Sequence, residues 1–581
     1  MRWLLQHCSY EGVNGSRPAS ALVLTRSRKF AFPAPEERPG AEDRPLPGSE
    51  GPIRAGRTAA LGRTVATPVG SLPVACVIAV DAGTSSVRAL AVDERGAVVD
   101  VSQRELTQHF PRPGWVEHDP DEIWGAVVAT LGEVAGRREA AGDTVAALGI
   151  TNQRETVVAW DRASGRPLHR AVVWQDRRTA ARCDELRAGG RLPLVRDTTG
   201  LVLDPYFSAT KMEWLLGPGG VAVTPDLVLG TVDAWVLWNL TGGTAGGTVA
   251  TDVSNAARTM LFDISSLAWS EDLCALFGVP VGALPEVRPS CGRLGVVRAP
   301  LGDWGDALAG VPVSGVAGDQ QAALFGQACL SPGMAKVTYG TGSFVLMNVG
   351  AVRPPACEGL LTTVAWDLGE HGGSSPVAYA LEGAVFVTGA AVQWLRDGLG
   401  LVDEAAGIGP LAQQVQSSEG VYVVPAFTGL GSPWWDPYAR GTITGLTRGV
   451  GAAHIARAVI EAMAFQVRDV VDAMTAAATE VAALRVDGGA AVLDLLLQVQ
   501  ADQVRVPVSR PATTETTALG AATLAGLAEG VWGSPEEVAA AWSLEAEFAP
   551  RASAVAADSA YAGWRAAVGR SLAWADPAAA E

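Results

Sequence analysis

Residues 77–92 read Val77-Ile78-Ala79-Val80-Asp81-Ala82-Gly83-Thr84-Ser85-Ser86-Val87-Arg88-Ala89-Leu90-Ala91-Val92. The apolar run before Asp81 predicts a strand, and the run after Arg88 predicts a second one. The Gly-Thr turn between them can aim successive backbone N–H groups at one point, which is a way to bind an anion. Asp81, at the end of the first strand, could bind Mg²⁺ directly or through water. Further donors come from side chains in and beside the turn, namely Thr84, Ser85, Ser86 and Arg88. An ordinary hairpin with a polar turn explains this segment alone equally well.

A weaker copy of the same pattern surrounds Gly340-Thr341-Gly342. Elsewhere beyond Cys76, short β-branched runs alternate with Ala- and Leu-rich helical stretches, which is typical of an α/β fold. A chain of 581 residues is too long for one ordinary domain. The two similar units therefore predict two similarly folded domains with a cleft between them, a favoured place for a ligand.

Residues 1–74 differ in composition from the rest. They are rich in Pro, Gly, Arg and Ser and show no sustained hydrophobic period, so we expect a disordered N-terminal extension. A targeting segment and a start codon assigned too far upstream are the alternatives.

The bulk composition excludes several classes of protein. The formal net charge of −17 argues against nucleic acid as a partner. No run of about eighteen apolar residues is present, so no stable membrane insertion is expected. The seven cysteines lack Cys-x-x-Cys spacing, which fits free thiols in a reducing, cytoplasmic location.

Two further polar segments follow strand-like runs. Arg154 and Glu155 come after the apolar residues 145–150, where one can donate to and the other accept from neighbouring hydroxyl groups. A surface loop with an incidental ion pair is the alternative. Asp319 follows a strand and opens a helix of small residues, a suitable place for a general base toward a substrate hydroxyl. A simple helix N-cap is the alternative.

Other phosphate-binding designs are excluded by the sequence. None of the three lysines, Lys29, Lys211 and Lys336, lies in the Gly-Lys-Ser/Thr context of a P-loop. No His-Arg-Asp or Asp-Phe-Gly set of a protein kinase occurs. The Gly340 turn lacks the third glycine of a dinucleotide-binding fingerprint, because Val345 stands there.

Taken together, several stretches resemble the FGGY family of carbohydrate kinases and, within it, the glycerol kinase branch. The similarity covers residues 77–574 in family order. It rests on residues 113–120 (Pro-Gly-Trp-Val-Glu-His-Asp-Pro), the Arg154-Glu155 segment, residues 204–208 (Asp-Pro-Tyr-Phe-Ser), residues 318–326, residues 339–342 and the signature-like region 427–449.

This resemblance implies two actin-like, ribonuclease H-type ATPase domains flanking a catalytic cleft. The N-terminal domain would span residues 75–328 and bind glycerol and phosphate, and the C-terminal domain would span 329–575 and bind the nucleotide. It implies phosphorylation of glycerol to sn-glycerol 3-phosphate with ATP and Mg²⁺, and a homo-oligomer, dimer or tetramer.

The resemblance also implies roles for single residues. Asp319 would be the general base. The hydroxyl groups of glycerol would be held by Arg154, Glu155, Tyr206, Asp319 and Gln320. Its carbon chain would lie against Trp174 and Phe344. Phosphate groups would contact Thr84, Ser85, Ser86 and Arg88, and Asp81 would serve Mg²⁺. The rest of the nucleotide would contact Thr341, Gly389, Gln393 and Gly489.

Two departures from the family pattern stand near these positions: Ala82 replaces the usual Gln, and Leu493 replaces an Asn near the base. One rival reading is an FGGY kinase of another small polyol or ketose, which the two aromatic walls disfavour because they leave little room. A rival from another class is a catalytically silent ligand-sensing protein on the same fold, which the presence of Asp319 and Asp81 disfavours.

Overall fold

A computed structural model describes residues 75–298, 307–374 and 376–575. The extension predicted to be disordered, residues 1–74, lies outside the described residues. The described chain alternates strands and helices, which confirms the α/β class.

The strands up to residue 318 are β1 (Ala75–Ala82), β2 (Ser86–Asp93), β3 (Val98–Glu105), β4 (Glu117–His118), β5 (Thr144–Asn152), β6 (Val157–Asp161), β7 (Ala171–Val172), β8 (Leu227–Thr231), β9 (Ala250–Asp252), β10 (Phe262–Asp263), β11 (Ala268–Trp269), β12 (Glu286–Arg288), β13 (Cys291–Val296) and β14 (Pro312–Gly318). The later strands are β15 (Met334–Tyr339), β16 (Ser343–Gly350), β17 (Leu361–Asp367), β18 (Val377–Val385), β19 (Tyr422–Val424), β20 (Thr442–Thr444), β21 (Ala483–Asp487), β22 (Val508–Pro511) and β23 (Leu544–Phe548).

The α-helices are α1 (Pro120–Ala141), α2 (Ala180–Ala188), α3 (Leu192–Thr199), α4 (Ser208–Leu216), α5 (Val232–Leu240), α6 (Val253–Ala256), α7 (Glu271–Leu276), α8 (Asp319–Gly326), α9 (Gly389–Gln393), α10 (Ile408–Ala412), α11 (Ala452–Ala477), α12 (Asp494–Val504), α13 (Thr516–Ala528), α14 (Pro535–Ala541) and α15 (Ala554–Ser571). None of the helices in the described ranges is both long and apolar enough to cross a membrane.

The first large sheet has the order β13-β14-β5-β1-β2-β3. Its middle strands β14, β5 and β1 run parallel, and their ends are in register: Ala82 and Gly318 both pair with Asn152. The carboxyl ends of three strands therefore lie side by side. The segments that follow them, which carry the polar residues singled out in the sequence, are brought to one edge of the sheet.

Both faces of this sheet are covered, which explains why β1 is an apolar run rather than an alternating one. Ile78 and Val80 pack in one core with Ile123 of α1. Val77 and its neighbours on the opposite face pack in another core with Ala521 of α13.

The second large sheet has the order β17-β18-β16-β15-β21-β22-β23. Its hairpin β15–β16 corresponds to the hairpin β1–β2 of the first sheet, so the weak internal repeat in the sequence is a structural repeat. Strand β21 runs parallel to β15, with Thr338 opposite Asp487. The turn at Gly340 and the loop after Asp487 therefore lie at the same edge.

Helix α13 joins the two halves of the molecule. It follows β22 of the second sheet, yet it packs on β1, β5 and β14 of the first and against α8. The backbones approach so closely that a Cβ on Gly520 would overlap the carbonyl oxygen of Ala322. The domain boundary predicted at 328/329 falls between α8 and β15 and remains a prediction.

Candidate active site

The turn between β1 and β2 begins with a buried carboxylate. Asp81 pairs with Arg88 across the hairpin, and its Oδ2 lies 3.2 Å from Arg88 Nη2. The other arm of Arg88 contacts Glu515, with 2.6 Å between Nη1 and Oε2. Burial raises the pKa of Asp81 to about 6; Arg88 opposes this shift, while Asp319 and Glu515 add to it. Two carboxylates from other segments thus lie near Asp81.

The turn itself is closed by a backbone hydrogen bond from Gly83 N–H to the Ser86 carbonyl, with 3.0 Å between N and O. Thr84 is hydrogen-bonded to Trp174, whose Nε1–H donates to the Thr84 hydroxyl oxygen at 2.9 Å. Ser85 is exposed and Ser86 is half-buried. Of the predicted phosphate-binding residues, Thr84 and Ser85 therefore lie in the turn, and Ser86 and Arg88 follow in β2.

Asp319 is the first residue of α8, directly after β14, and its side chain is 31% exposed. Its Oδ1 lies 3.1 Å from Arg154 Nε and accepts a hydrogen bond from the Gln320 backbone N–H at 2.7 Å. Both contacts use Oδ1, so Oδ2 can accept a proton from a bound hydroxyl group. Gly318 allows this arrangement, because a Cβ there would lie 2.7 Å from Arg154 Cγ.

Arg154 and Glu155 belong to a buried group of four charges, completed by Arg258 and Glu382. Glu382 Oε2 accepts from Arg154 Nη1 at 2.6 Å, and Arg258 Nε donates to Glu155 Oε1 at 2.7 Å. Burial alone would raise the pKa of Glu382, but Arg154 and Arg258 override it and lower this pKa to about 2. The group is neutral overall, which is the condition for burying four charges together.

Two aromatic side chains approach Arg154 of this charged group. Tyr206 OH accepts from Arg154 Nη2 at 3.2 Å, and the rings of Trp174 and Tyr206 meet edge to face, 5.6 Å apart. The Phe344 ring centroid lies 5.9 Å from the Arg154 guanidinium carbon. Polar groups beside aromatic rings suit a short polyol, whose hydroxyl groups and carbon chain need different surroundings.

Gln320 is held by a lysine from the second sheet. Lys336 Nζ donates to Gln320 Oε1 at 2.5 Å and to Thr338 Oγ1 at 2.8 Å. Burial lowers the pKa of Lys336 to about 8. Since the ammonium group can only donate, the amide oxygen of Gln320 faces Lys336, and its NH₂ group is directed elsewhere.

The predicted nucleotide residues lie at the corresponding edge of the second sheet. Gly389 N–H donates to the Gly340 carbonyl at 3.0 Å, so the turn carrying Thr341 touches the start of α9. Gln393 is the last residue of α9, and Thr341, Gln393 and Gly489 are exposed. Gly489 follows β21, the parallel neighbour of β15. These residues can line one face of a bound nucleotide.

The residues present fit a magnesium ion that is shared with phosphate groups. Among residues 75–298, 307–374 and 376–575, no three carboxylate, imidazole or thiol groups are grouped so as to hold a metal ion by themselves. Mg²⁺ usually takes one or two carboxylates and fills its other positions with water and phosphate oxygens. Asp81 and Asp319, which repel each other, are a suitable pair for such an ion.

Comparison with known proteins identifies the family of the chain. Residues 76–326 match the N-terminal domain model of the FGGY family of carbohydrate kinases, and residues 335–529 match its C-terminal domain model. The chain belongs to this family. A glycerol kinase of Dechloromonas aromatica is 51% identical over 505 residues, which is 86% of this chain and 98% of that protein. A glycerol kinase of Halorhodospira halophila is 52% identical over 504 residues, 86% of this chain and 97% of that one.

Solved structures of the family share the fold. A Plasmodium falciparum glycerol kinase with ADP superimposes with a TM-score of 0.80 at 32% identity, over 86% of this chain and 99% of that one. A xylulose kinase from Lactobacillus acidophilus gives a TM-score of 0.74 at 20% identity, over 86% of this chain and 97% of that chain, which shows the fold alone. The fold predicted from the resemblance is confirmed at the level of the family.

The sequence analysis assigned no role to four charged residues near the predicted site: Arg258, Lys336, Glu382 and Glu515. For Glu382 a signal existed, since it is the one charged residue in the otherwise apolar run of β18. Lys336 likewise interrupts an apolar strand. A charge in a buried strand requires a partner, and here that partner is one of the predicted site residues, Arg154 for Glu382 and Gln320 for Lys336.

Proposed function

We propose that this protein transfers the γ-phosphoryl group of ATP to glycerol, giving sn-glycerol 3-phosphate and ADP. One observation carries the proposal: a partly exposed carboxylate, Asp319, lies beside Arg154, which Tyr206 and Phe344 also approach. Asp319 also acts electrostatically on Asp81, beside the turn that can hold phosphate groups. The glycerol kinases that match over 86% of the chain agree with this substrate.

Recognition of glycerol is proposed to depend on complementary donors and acceptors. Arg154 donates, Glu155 accepts, and Gln320 offers its NH₂ group because Lys336 takes up its carbonyl oxygen. Tyr206 adds a hydroxyl group next to Arg154. Trp174 and Phe344 would contact the carbon chain. A site of this kind discriminates strongly against analogues that lack a hydroxyl group, because its buried polar groups would be left unpaired.

Proton transfer is assigned to Asp319. The terminal hydroxyl oxygen of glycerol forms a bond to the γ-phosphorus as the bond from that phosphorus to the β,γ-bridging oxygen breaks. The hydroxyl proton passes to Asp319, and the bridging oxygen leaves with ADP. Positioning and charge neutralisation supply most of the rate enhancement in such reactions.

Phosphate binding is assigned to Thr84, Ser85, Ser86 and Arg88, and the remaining nucleotide contacts to Thr341, Gly389, Gln393 and Gly489. Mg²⁺ held by Asp81, with Asp319 nearby, would neutralise charge on the phosphate oxygens. Arg88 contacts Asp81 and Glu515, so its proposed phosphate contact requires it to exchange Glu515 for a phosphate oxygen.

One assay tests both alternatives: a different substrate, and a catalytically silent ligand-sensing protein. ADP release is measured with glycerol, dihydroxyacetone, xylulose and erythritol, each over a range of concentrations with Mg²⁺–ATP. We expect glycerol to have the highest kcat/KM. A higher value for xylulose or erythritol would identify another FGGY activity. Substrate binding without ADP release from any compound would support the sensor. The predicted cytoplasmic location and the homo-oligomer remain predictions.

A further inference from the structure

Glu382 lies on β18 of the second sheet, whereas Arg154 follows β5 of the first. Its side chain is fully buried, and both carboxylate oxygens are used. Oε2 accepts from Arg154 Nη1 at 2.6 Å, and Oε1 accepts from Arg154 Nη2 at 3.2 Å and from Arg258 Nη2 at 2.9 Å. Two parallel bonds to one guanidinium fix its plane as well as its position.

Arg154 has several other groups within reach. Its Nε lies 3.1 Å from Asp319 Oδ1, and its Nη1 donates to Gln321 at 3.1 Å. A long side chain with several carboxylates nearby needs one dominant partner to remain in a single orientation. Without Glu382 the Nη groups of Arg154 would be free to turn toward Asp319 as well, which would misplace a glycerol contact and occupy the Oδ2 atom that the proposed base needs.

We propose that Glu382 is the positioning residue of the acceptor site. It does not touch glycerol; it holds Arg154 in the orientation that the substrate needs, so the acceptor-binding geometry is set from the second sheet. This inference rests on the proposed function, because it takes Arg154 as a contact of glycerol.

A purely structural role is the alternative, since a buried carboxylate with two arginine partners also contributes to stability. The two roles differ in kinetics. A structural defect lowers the amount of active protein and leaves both KM values nearly unchanged. A misplaced Arg154 raises the KM for glycerol and leaves the KM for ATP nearly unchanged, because no proposed nucleotide contact depends on Glu382.

The test is Glu382→Gln, which keeps the shape and removes the charge. We expect the glycerol KM to rise at least about tenfold, since hydrogen bonds to charged groups are strong, with the ATP KM within about twofold. The matched control is Glu117→Gln. Glu117 is buried and lies 2.8 Å from the fully buried Arg178, a buried glutamate–arginine pair with no assigned part in catalysis. The control should lose stability and keep its glycerol KM.

A glycerol KM that is unchanged in Glu382→Gln, or that changes equally in Glu117→Gln, overturns the proposal. If Glu382→Gln does not fold, Glu382→Asp serves instead: it keeps the charge but shortens the side chain, so the glycerol KM should still rise. An unchanged KM in that variant overturns the proposal as well. In either case the wild-type protein would still phosphorylate glycerol. Failure of the wild-type protein itself to use glycerol would refute the proposed function, and this inference with it.

Discussion

At the scale of single residues, the proposed chemistry depends on a carboxylate that is neither fully buried nor fully exposed. Asp319 is 31% exposed, which leaves it able to reach a substrate while Arg154 holds one of its oxygens. The N-cap alternative is wrong, because Gly318 is the cap residue of α8 and Asp319 is the first residue inside the helix.

Asp319→Asn tests the base directly. The variant keeps the size of the side chain and loses its ability to accept the proton, so we expect kcat to fall by roughly 10²–10⁴-fold. Glycerol binding, measured by calorimetry, should persist. Turnover close to that of the wild-type protein would refute the assignment.

If Asp81 holds Mg²⁺ as proposed, we expect nucleotide binding to depend on pH. Its pKa is raised to about 6, mainly by burial, so it is ionised at pH 8 and largely protonated at pH 5. A protonated carboxyl group binds Mg²⁺ poorly. We expect the ratio of Mg²⁺–ATP affinities between wild-type protein and Asp81→Asn to fall about tenfold from pH 8 to pH 5. Protonation of the nucleotide itself affects both affinities equally, so it cancels in this ratio. A ratio that is constant with pH would contradict the role of Asp81.

The raised pKa of Asp81 also determines how this residue changes the stability of the fold with pH. A carboxyl group whose pKa is higher in the folded protein than in the unfolded chain favours folding at low pH, and this contribution is lost as pH rises through about 6. Bound cation would offset that loss.

Trp174 is expected to limit the length of the substrate. Trp174→Ala removes the wall beside Tyr206 and the donor to Thr84. We expect weaker use of glycerol and a relative gain for longer polyols of about 1–3 kcal/mol per methylene group, measured as ratios of kcat/KM. Trp174→Phe is the control, because it keeps an apolar wall without the N–H group. Selectivity that is unchanged in the alanine variant would argue against the pocket.

The site residues recognisable from sequence were those at or just after a strand end, such as Asp81, Arg154 and Asp319. Local pattern alone reveals such positions. The partners Glu382 and Arg258 were not recognised, because their contacts join segments more than 100 positions apart in the chain. No local pattern encodes a contact of that kind; only the charge inside an apolar strand pointed to it.

At the scale of elements, the apolar runs in the sequence predicted the strands. They did not predict that α13 packs on the first sheet. The composition of α13 indicates a buried helix, but nothing local tells which sheet will bury it. The close approach of α8 and α13 depends on the absence of side chains at their crossing.

Gly520→Ala tests this crossing. The new methyl group would overlap the Ala322 carbonyl oxygen, which belongs to the backbone and cannot turn aside. We expect a destabilisation of about 1–3 kcal/mol, seen as a lower urea midpoint. Gly136→Ala on α1 is the control: it meets no atom within 4 Å and should stabilise slightly, since alanine favours helix. Equal midpoints for the two variants would contradict this account of the packing.

At the scale of the whole molecule, catalysis is proposed to occur where the edges of the two sheets meet. The first sheet supplies Asp81, Arg154 and Asp319, and the second supplies the Gly340 turn. Two buried pairs cross between them: Glu382 with Arg154, and Lys336 with Gln320. The weak repeat in the sequence predicted two related units, but not that the second would hold two proposed substrate-binding residues of the first.

The central claim is that these parts together phosphorylate glycerol, and identification of the product tests it most directly. The protein is incubated with Mg²⁺, glycerol and ATP labelled at the γ-phosphate, and the products are separated and assigned by mass and by stereospecific enzymatic oxidation. We expect one labelled sn-glycerol 3-phosphate for each ADP formed. Two results would contradict the proposed function. In one, the label is released only as inorganic phosphate; in the other, it remains in ATP although a control kinase consumes ATP under the same conditions.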